Sequence, residues 1–208
     1  MYKRALEGYE KAWGPEHTST LNTVNNLGLL YADQGRLADA EAMYKRALEG
    51  KEKALGPEYT STLNTVNNLG SLYANQGRLA DAEAMYKRAL EGYEKAWGPE
   101  HTSTLDTVNN LGLLYANQGR LADAEAMYKR ALEGYEKALG MEIVKTYPPA
   151  LNTLENLGHL FYQLNDKEKS RLYFLRAKDG CRAVFGSSNN RYNRIVSQLR
   201  LLQRESSG

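Results

Sequence analysis

Paired carboxamides recur through the chain at a fixed interval. Asn25-Asn26, Asn67-Asn68 and Asn109-Asn110 lie 42 residues apart, and Glu155-Asn156 follows them. A carboxamide offers two N–H donors and an acceptor. That is equipment for gripping a polypeptide main chain, not for breaking bonds. The neighbours at helical spacing complete one face in each copy. It reads Asn22, Asn25, Asn26, Leu29, Asp33, then Asn64, Asn67, Asn68, Ser71, Asn75, then Asp106, Asn109, Asn110, Leu113, Asn117. A fourth copy contributes Asn152, Glu155, Asn156, His159 and Gln163. Each net hydrogen bond adds roughly 0.5–1.5 kcal/mol, so several copies together suit a moderate affinity.

Residues of catalytic type are sparse. His17 and His101 occupy equivalent loops two copies apart, and His159 stands alone. Cys181 has no His or Asn partner in a recognisable order, so a nucleophile is not expected. The glycines sit in helical LEG and NNLG contexts and form no phosphate loop after a strand. Asp39 and Glu41 fall on a solvent face. We expect a protein that is not an enzyme and carries no cofactor or metal.

The elements that must position the amide face follow from the period. Met1–Ala42 restarts at Met43, Met85 and Met127. The third copy differs from the first at Asp106 and Asn117, the second at Lys51, Leu55, Tyr59, Ser71 and Asn75. A repeat of this length means stacked supersecondary units that cannot bury their apolar faces alone. Leu21, Val24, Leu27, Leu30 and Tyr31 keep helical time. Gly35 ends that helix as a left-handed residue, and Leu37 to Leu55 form a second helix that Gly56-Pro57 stops. Thr60 or Ser61 is expected to cap the next one. Helix A is therefore predicted at 18–33, 60–75 and 102–117, helix B at 37–55, 79–97 and 121–139. No segment alternates with period two, so the class is all-α. Gly50, Gly92, Gly134 and Gly180 recur inside helix B and mark either close approach or a bend.

The pattern of Leu27, Gly28, Tyr31, Ala40, Tyr44 and Ala47, repeated at 69–89 and 111–131, resembles the tetratricopeptide repeat. Val24, Val66 and Val108 replace that family's Trp, and 42 residues replace its 34-residue period. The longer form resembles the repeats of kinesin light chains, and more closely the C-terminal arrays of fungal NOD-like (STAND) receptors. The resemblance implies a right-handed superhelix, an α-solenoid of antiparallel helix pairs whose A helices line a concave wall. It further implies a protein or peptide ligand, with Asn26, Asn68 and Asn110 contacting its backbone.

One array over 1–208 is expected: a partial helix B at 1–13, full units at 18–55, 60–97 and 102–139, a degenerate unit at 147–185 and a capping helix at 191–204. Val196, Leu199 and Leu202 would bury the cap, with Arg194, Gln198 and Gln203 solvating it. Helix B at the start lacks a preceding helix A, as in a fragment of a longer array. Its stripe of Tyr2, Ala5, Leu6 and Tyr9 suggests homodimer formation or other homotypic assembly.

Composition limits the partners. Residues 1–140 carry 16 Lys/Arg against 19 Asp/Glu, and residues 141–208 carry 11 against 6. The basic end is read as a solvated helix face, which ranks nucleic acid last. Apolar runs are too short for a membrane span, and one cysteine fits a reducing, cytoplasmic setting. Differences between the near-identical copies fall at 22/64/106, 29/71/113 and 33/75/117 on the amide face, or at 9/51/93, 13/55/97 and 17/59/101. The apolar packing positions do not differ. Variation on a face over an unchanged scaffold is the pattern of a recognition surface.

Overall fold

The computed structural model describes residues 2–206; Met1, Ser207 and Gly208 lie outside the described residues. Among them there are eleven helices and no strand. The chain divides into two compact units, residues 1–98 and 99–208.

The first unit holds α1 (Tyr2–Trp13), α2 (Thr18–Asp33), α3 (Leu37–Leu55), α4 (Thr60–Asn75) and α5 (Leu79–Trp97). Pairs α2/α3 and α4/α5 are helical hairpins, and α3 packs on α4. Each hairpin closes where the sequence removes bulk. A Cβ at Gly28 would stand 2.9 Å from the Tyr44 ring, and one at Gly50 would stand 2.5 Å from Leu21. The helix B glycines thus mark close approach, which settles the alternative with a bend. Leu63, Val66, Ala89 and Tyr93 form a buried cluster, with Leu48 and Met85 against it. Burying each large side chain contributes about 1.5–3 kcal/mol.

The second unit repeats this with α6 (Thr102–Asn117) and α7 (Leu121–Leu139), then α9 (Pro148–Gln163) and α10 (Lys167–Phe185). The four extra residues before α9 fold as a short helix, α8 (Met141–Val144). The final helix, α11 (Asn190–Ser206), packs on α10. Its buried residues are Ile195, Leu199 and Leu202, whereas Val196 is only half-buried. Ile195 aligns with buried Thr153 and Val196 with buried Leu154, one period earlier, but only Ile195 is fully buried here. The same alignment puts Arg200 at Gly158, where a Cβ would stand 2.8 Å from the Phe174 ring. An arginine there bars a further helix B from closing on α11.

Helix starts differ from expectation in one detail. Thr60 is the first residue of α4 and Tyr59 is its N-cap, with no side-chain cap bond. In α2 and α6 the cap is a histidine, His17 or His101, whose Nδ1 accepts from the Ser19 or Ser103 amide at 3.2 Å. Inside the first turn, Thr20 and Thr62 bond the Gly14 and Gly56 carbonyls, both at 2.9 Å, and tie the Gly-Pro turn to the helix start. At the A–B turn, Gly35 has φ +73° and Asn165 takes the equivalent place at φ +59°.

Adjacent B helices are tied by a ladder of ion pairs: Arg46 to Glu10 at 2.5 Å, Arg88 to Glu52 at 2.5 Å and Arg176 to Glu136 at 2.9 Å. Each arginine of the turn covers a tyrosine, with Arg78 3.9 Å above the Tyr73 ring and Arg120 3.9 Å above Tyr115.

Candidate functional site

The amide face divides into positions that brace the hairpins and positions that remain presented. The first row, 22/64/106, faces helix B. Tyr93 on α5 donates its hydroxyl to Asn64 Oδ1, and Tyr135 on α7 does the same to Asp106 Oδ1, each at 2.5 Å. Burial pushes the Asp106 carboxyl up, and the Tyr135 bond partly offsets this. Tyr135 is pushed up in turn by burial and by the Asp106 charge. The Tyr147 ring meets Tyr135 edge-on at 5.4 Å.

In the first hairpin this lock is replaced. Lys51 stands where Tyr93 and Tyr135 stand, only 2% exposed, and its ammonium donates to Ser61 O and Thr65 Oγ1, both at 3.1 Å. Burial holds its pKa down at about 8. Asn22 accepts instead from Ser61 Oγ on α4 at 3.2 Å.

The paired asparagines play unequal parts. Asn25 is buried, and its carbonyl oxygen accepts from Asn68 Nδ2 at 3.2 Å. Asn109 accepts from Thr153 Oγ1 at 3.0 Å and Asn156 Nδ2 at 3.2 Å. These amides couple one helix A to the next. Asn26 is exposed and Asn110 half-buried; neither amide makes a hydrogen bond among the described residues. Asn67 is half-buried and is itself engaged.

Farther along, Leu29 and Leu113 are exposed at 48% and 45%, beside exposed Asp33, Asn75 and Asn117. Ser71 replaces these leucines in the second copy and takes a hydrogen bond from the Tyr86 hydroxyl at 2.9 Å. Tyr44, at the same place in the first copy, is pushed up to about 12 by burial and by the Asp33 charge. Tyrosines assigned to packing therefore bring their hydroxyls to the amide face. The signal was present in the sequence, since a tyrosine rather than a phenylalanine recurs at 44, 86 and 128.

In the fourth copy the face is largely committed. Glu155 is buried and bonded by Arg191, with Arg194 on its other oxygen at 3.3 Å. Its charge docks α11, and the two arginines account for part of the basic excess. His159 has an open edge but lies edge-on to the Phe174 ring at 4.9 Å, and desolvation of its packed side lowers its pKa. Asn152 and Gln163 are exposed.

What remains presented in each unit is a set of amides with a single leucine, joined in the first unit by the Asp33 carboxylate. Such a set can hold an extended segment by its backbone and by apolar side chains. The described residues contain no group of three or more His, Cys, Asp or Glu that would hold a metal ion. No helix among them is long and apolar enough to cross a membrane.

Hairpins that close on a glycine, stack through B-helix ion pairs and present their A helices define an all-α solenoid of the protein-interaction type. The chain belongs to the tetratricopeptide repeat family, whose models match residues 1–53 and 55–137, and 109–183. No curated protein matches it. Among solved structures it is similar to BtubC (BKLC) from P. vanneervenii, at 19% identity and TM-score 0.82, covering 99% of this chain and 82% of that one. It is also similar to a Podosopora anserina putative kinesin light chain with nearly identical TPR-like repeats. That match has 16% identity and TM-score 0.70, with coverages of 91% and 98%. Aspartyl phosphate phosphatase F from Bacillus subtilis matches at 16% identity and TM-score 0.72, with 89% of this chain covering 45% of that one. These likenesses concern the fold. Scaffolds of this family are generally non-enzymatic and bind proteins, and no catalytic family matches.

Proposed function

We propose that the chain is the recognition scaffold of a larger cytoplasmic fungal NOD-like receptor, binding a peptide or protein segment along the concave face of its A helices. The observation that carries this is the separation of roles on that face. Asn25 and Asn109, with their partners Asn68 and Asn156, brace the stack, whereas Asn110, Leu29 and Leu113 stay available. The copies also differ on that face, at 29/71/113 and 33/75/117, although the buried helix B position 51/93/135 differs as well, carrying Lys51 in place of a packed tyrosine. Near-identical repeats in a fungal structural neighbour support the source. The test is capture of binding proteins from fungal extract by the intact chain and by Asn26→Ala/Asn110→Ala. Retention by both forms alike would sink the proposal, since neither amide holds the fold.

A second reading, homodimer formation, rests on α1. Its sequence equals Tyr86–Trp97, where Tyr86, Ala89, Gly92 and Tyr93 are buried. In α1 no residue is buried, and Tyr2, Tyr9 and Trp13 are exposed. A two-fold α1–α1 contact suits this stripe better than head-to-tail stacking, because Arg200 bars α11 from receiving a helix B. Sedimentation of wild type and Tyr9→Lys across a hundredfold concentration range decides it: a monomer throughout rejects the dimer.

A further inference from the structure

A recess that no residue of the amide face lines recurs in the hairpins, beneath the glycine of helix B. In the first hairpin it encloses about 160 Å³ between Pro15 and Gly50. In the third it encloses about 350 Å³ between Pro99 and Gly134. In the fourth it reaches about 700 Å³. Two changes cause the enlargement. The four extra residues form α8, after which the Lys145 carbonyl packs directly on Gly180 and fixes a new wall. Helix B also loses a lysine, because Ala183 stands where Lys95 and Lys137 stand.

That lysine closes the mouth elsewhere. Lys95 reaches Glu58 at 3.3 Å, besides Glu91 on its own helix at 2.9 Å, and Lys137 reaches Glu100 at 3.6 Å, in each case from helix B to the Gly-Pro-Glu turn. The fourth hairpin keeps the acid, Glu142, but helix B offers Ala183 where the latching cation would stand. Glu142 pairs instead with Lys145 on its own turn, at 2.6 Å. The floor is apolar, with Val144 and Leu154 buried and Met141 exposed at the rim. Around it stand three acids, Glu136, Glu142 and Asp179, against Arg176 and Lys145. Arg176 is already bonded to Glu136 at 2.9 Å, and Asp179 pairs with Lys178 beside the recess at 3.2 Å, so an incoming ammonium would share acids that surface lysines hold from outside. The recess therefore lacks the aliphatic stem ending in an ammonium that Lys95 and Lys137 extend to the turn in the second and third hairpins. In the first, Lys53 lines the recess but pairs with Glu49 on its own helix at 2.7 Å. Its volume lies in the range of ordinary ligand pockets, about 300–1,000 Å³.

We infer that this recess is a docking socket for a partner protein, which inserts a lysine flanked by apolar residues. The stem packs on Met141, Val144 and Leu154, and the ammonium meets Glu142 and Asp179. This site is separate from the amide face and does not depend on the reading given above.

The probes are n-octylammonium, octanoate and the peptide Ac-Ala-Leu-Lys-Leu-Ala-NH2 with its Glu-for-Lys counterpart, titrated into the full chain by NMR. Octylammonium and the lysine peptide should shift the Met141 methyl and Gly180 amide signals. Both should bind about threefold to fivefold more tightly than their anionic counterparts, the gain of one exposed ion pair. Ala183→Lys restores the side chain of the other hairpins and should abolish binding of both. A second variant, Ala183→Leu, fills the apolar part without a charge and should also block them. The socket is rejected if neither cationic probe binds, if the anions bind as well, or if Ala183→Lys leaves binding unchanged. Binding of octylammonium without the lysine peptide would reject a protein partner.

Discussion

Tyr93 closes on Asn64 across the second hairpin, and Tyr135 closes on Asp106 in the same way across the third. The first hairpin breaks this lock by carrying Lys51, whose buried ammonium is held by a carbonyl and a hydroxyl in place of a carboxylate. Lys51→Tyr should let the new hydroxyl reach Asn22 and remove a desolvated charge. We expect stabilisation of about 1–3 kcal/mol, read as a higher urea midpoint. An unchanged or lower midpoint would show that the lock does not transfer between copies.

Lys51 also sets a pH dependence. Its folded pKa of about 8 lies below the ordinary 10.5. Below pH 8 both states carry the charge and the burial cost is fully felt. From pH 8 towards 10.5 the folded chain sheds the proton while the unfolded chain keeps it, so stability rises with pH. The gain is about 3 kcal/mol at most. Lys51→Met should lack it, so the stability difference between variant and wild type should shrink between pH 7.5 and 9.5. A constant difference would contradict the buried ammonium.

Glycines of identical repeats should respond oppositely to alanine. Gly70→Ala would press a Cβ to 2.8 Å from the Tyr86 ring and should cost about 1–3 kcal/mol. Gly8 in α1 has nothing within 4 Å, so Gly8→Ala should stabilise by about 0.5–1 kcal/mol through helix propensity alone. Thermal melts of the two variants should therefore move in opposite directions.

Glu155 should behave as a docking charge. Glu155→Ala leaves the largely buried Arg191 without its partner and should cost about 3–5 kcal/mol. Amide exchange should accelerate in α11 first, while α6 and α7 stay protected. Uniform acceleration over the whole second unit would mean that α11 is not held by this contact.

Asp106→Asn reproduces the Asn64–Tyr93 pair. Burial raises the Asp106 pKa, so the folded carboxyl binds its proton more readily than the unfolded one. Its contribution is then present below the ordinary carboxylate range and falls as pH rises through the folded pKa. Asp106→Asn should remove that loss and stabilise the chain at pH 7 by about 1 kcal/mol. No change between pH 4 and 7 relative to wild type would refute it.

Much was legible in the chain because the determinants are local. Helix bounds follow from apolar spacing, from the left-handed Gly35 and from Gly56-Pro57, all acting within a turn or two of sequence. The hairpin closures were legible too, since Gly28 and Tyr44 recur together. The division of labour on the amide face was not. Asn25 and Asn26 are adjacent, and only the placement of Asn68, 43 residues from Asn25, makes one a brace and leaves the other free. Likewise Glu155 reads as a face residue until α11 brings Arg191 and Arg194 to it. Nor could spacing show that Ala183 uncovers a recess, because that depends on where α8 folds back. Short-range sterics and periodicity therefore determined the elements and the family. Contacts between elements decided which polar groups are consumed, because a hydrogen bond between distant segments has no signature in either segment alone.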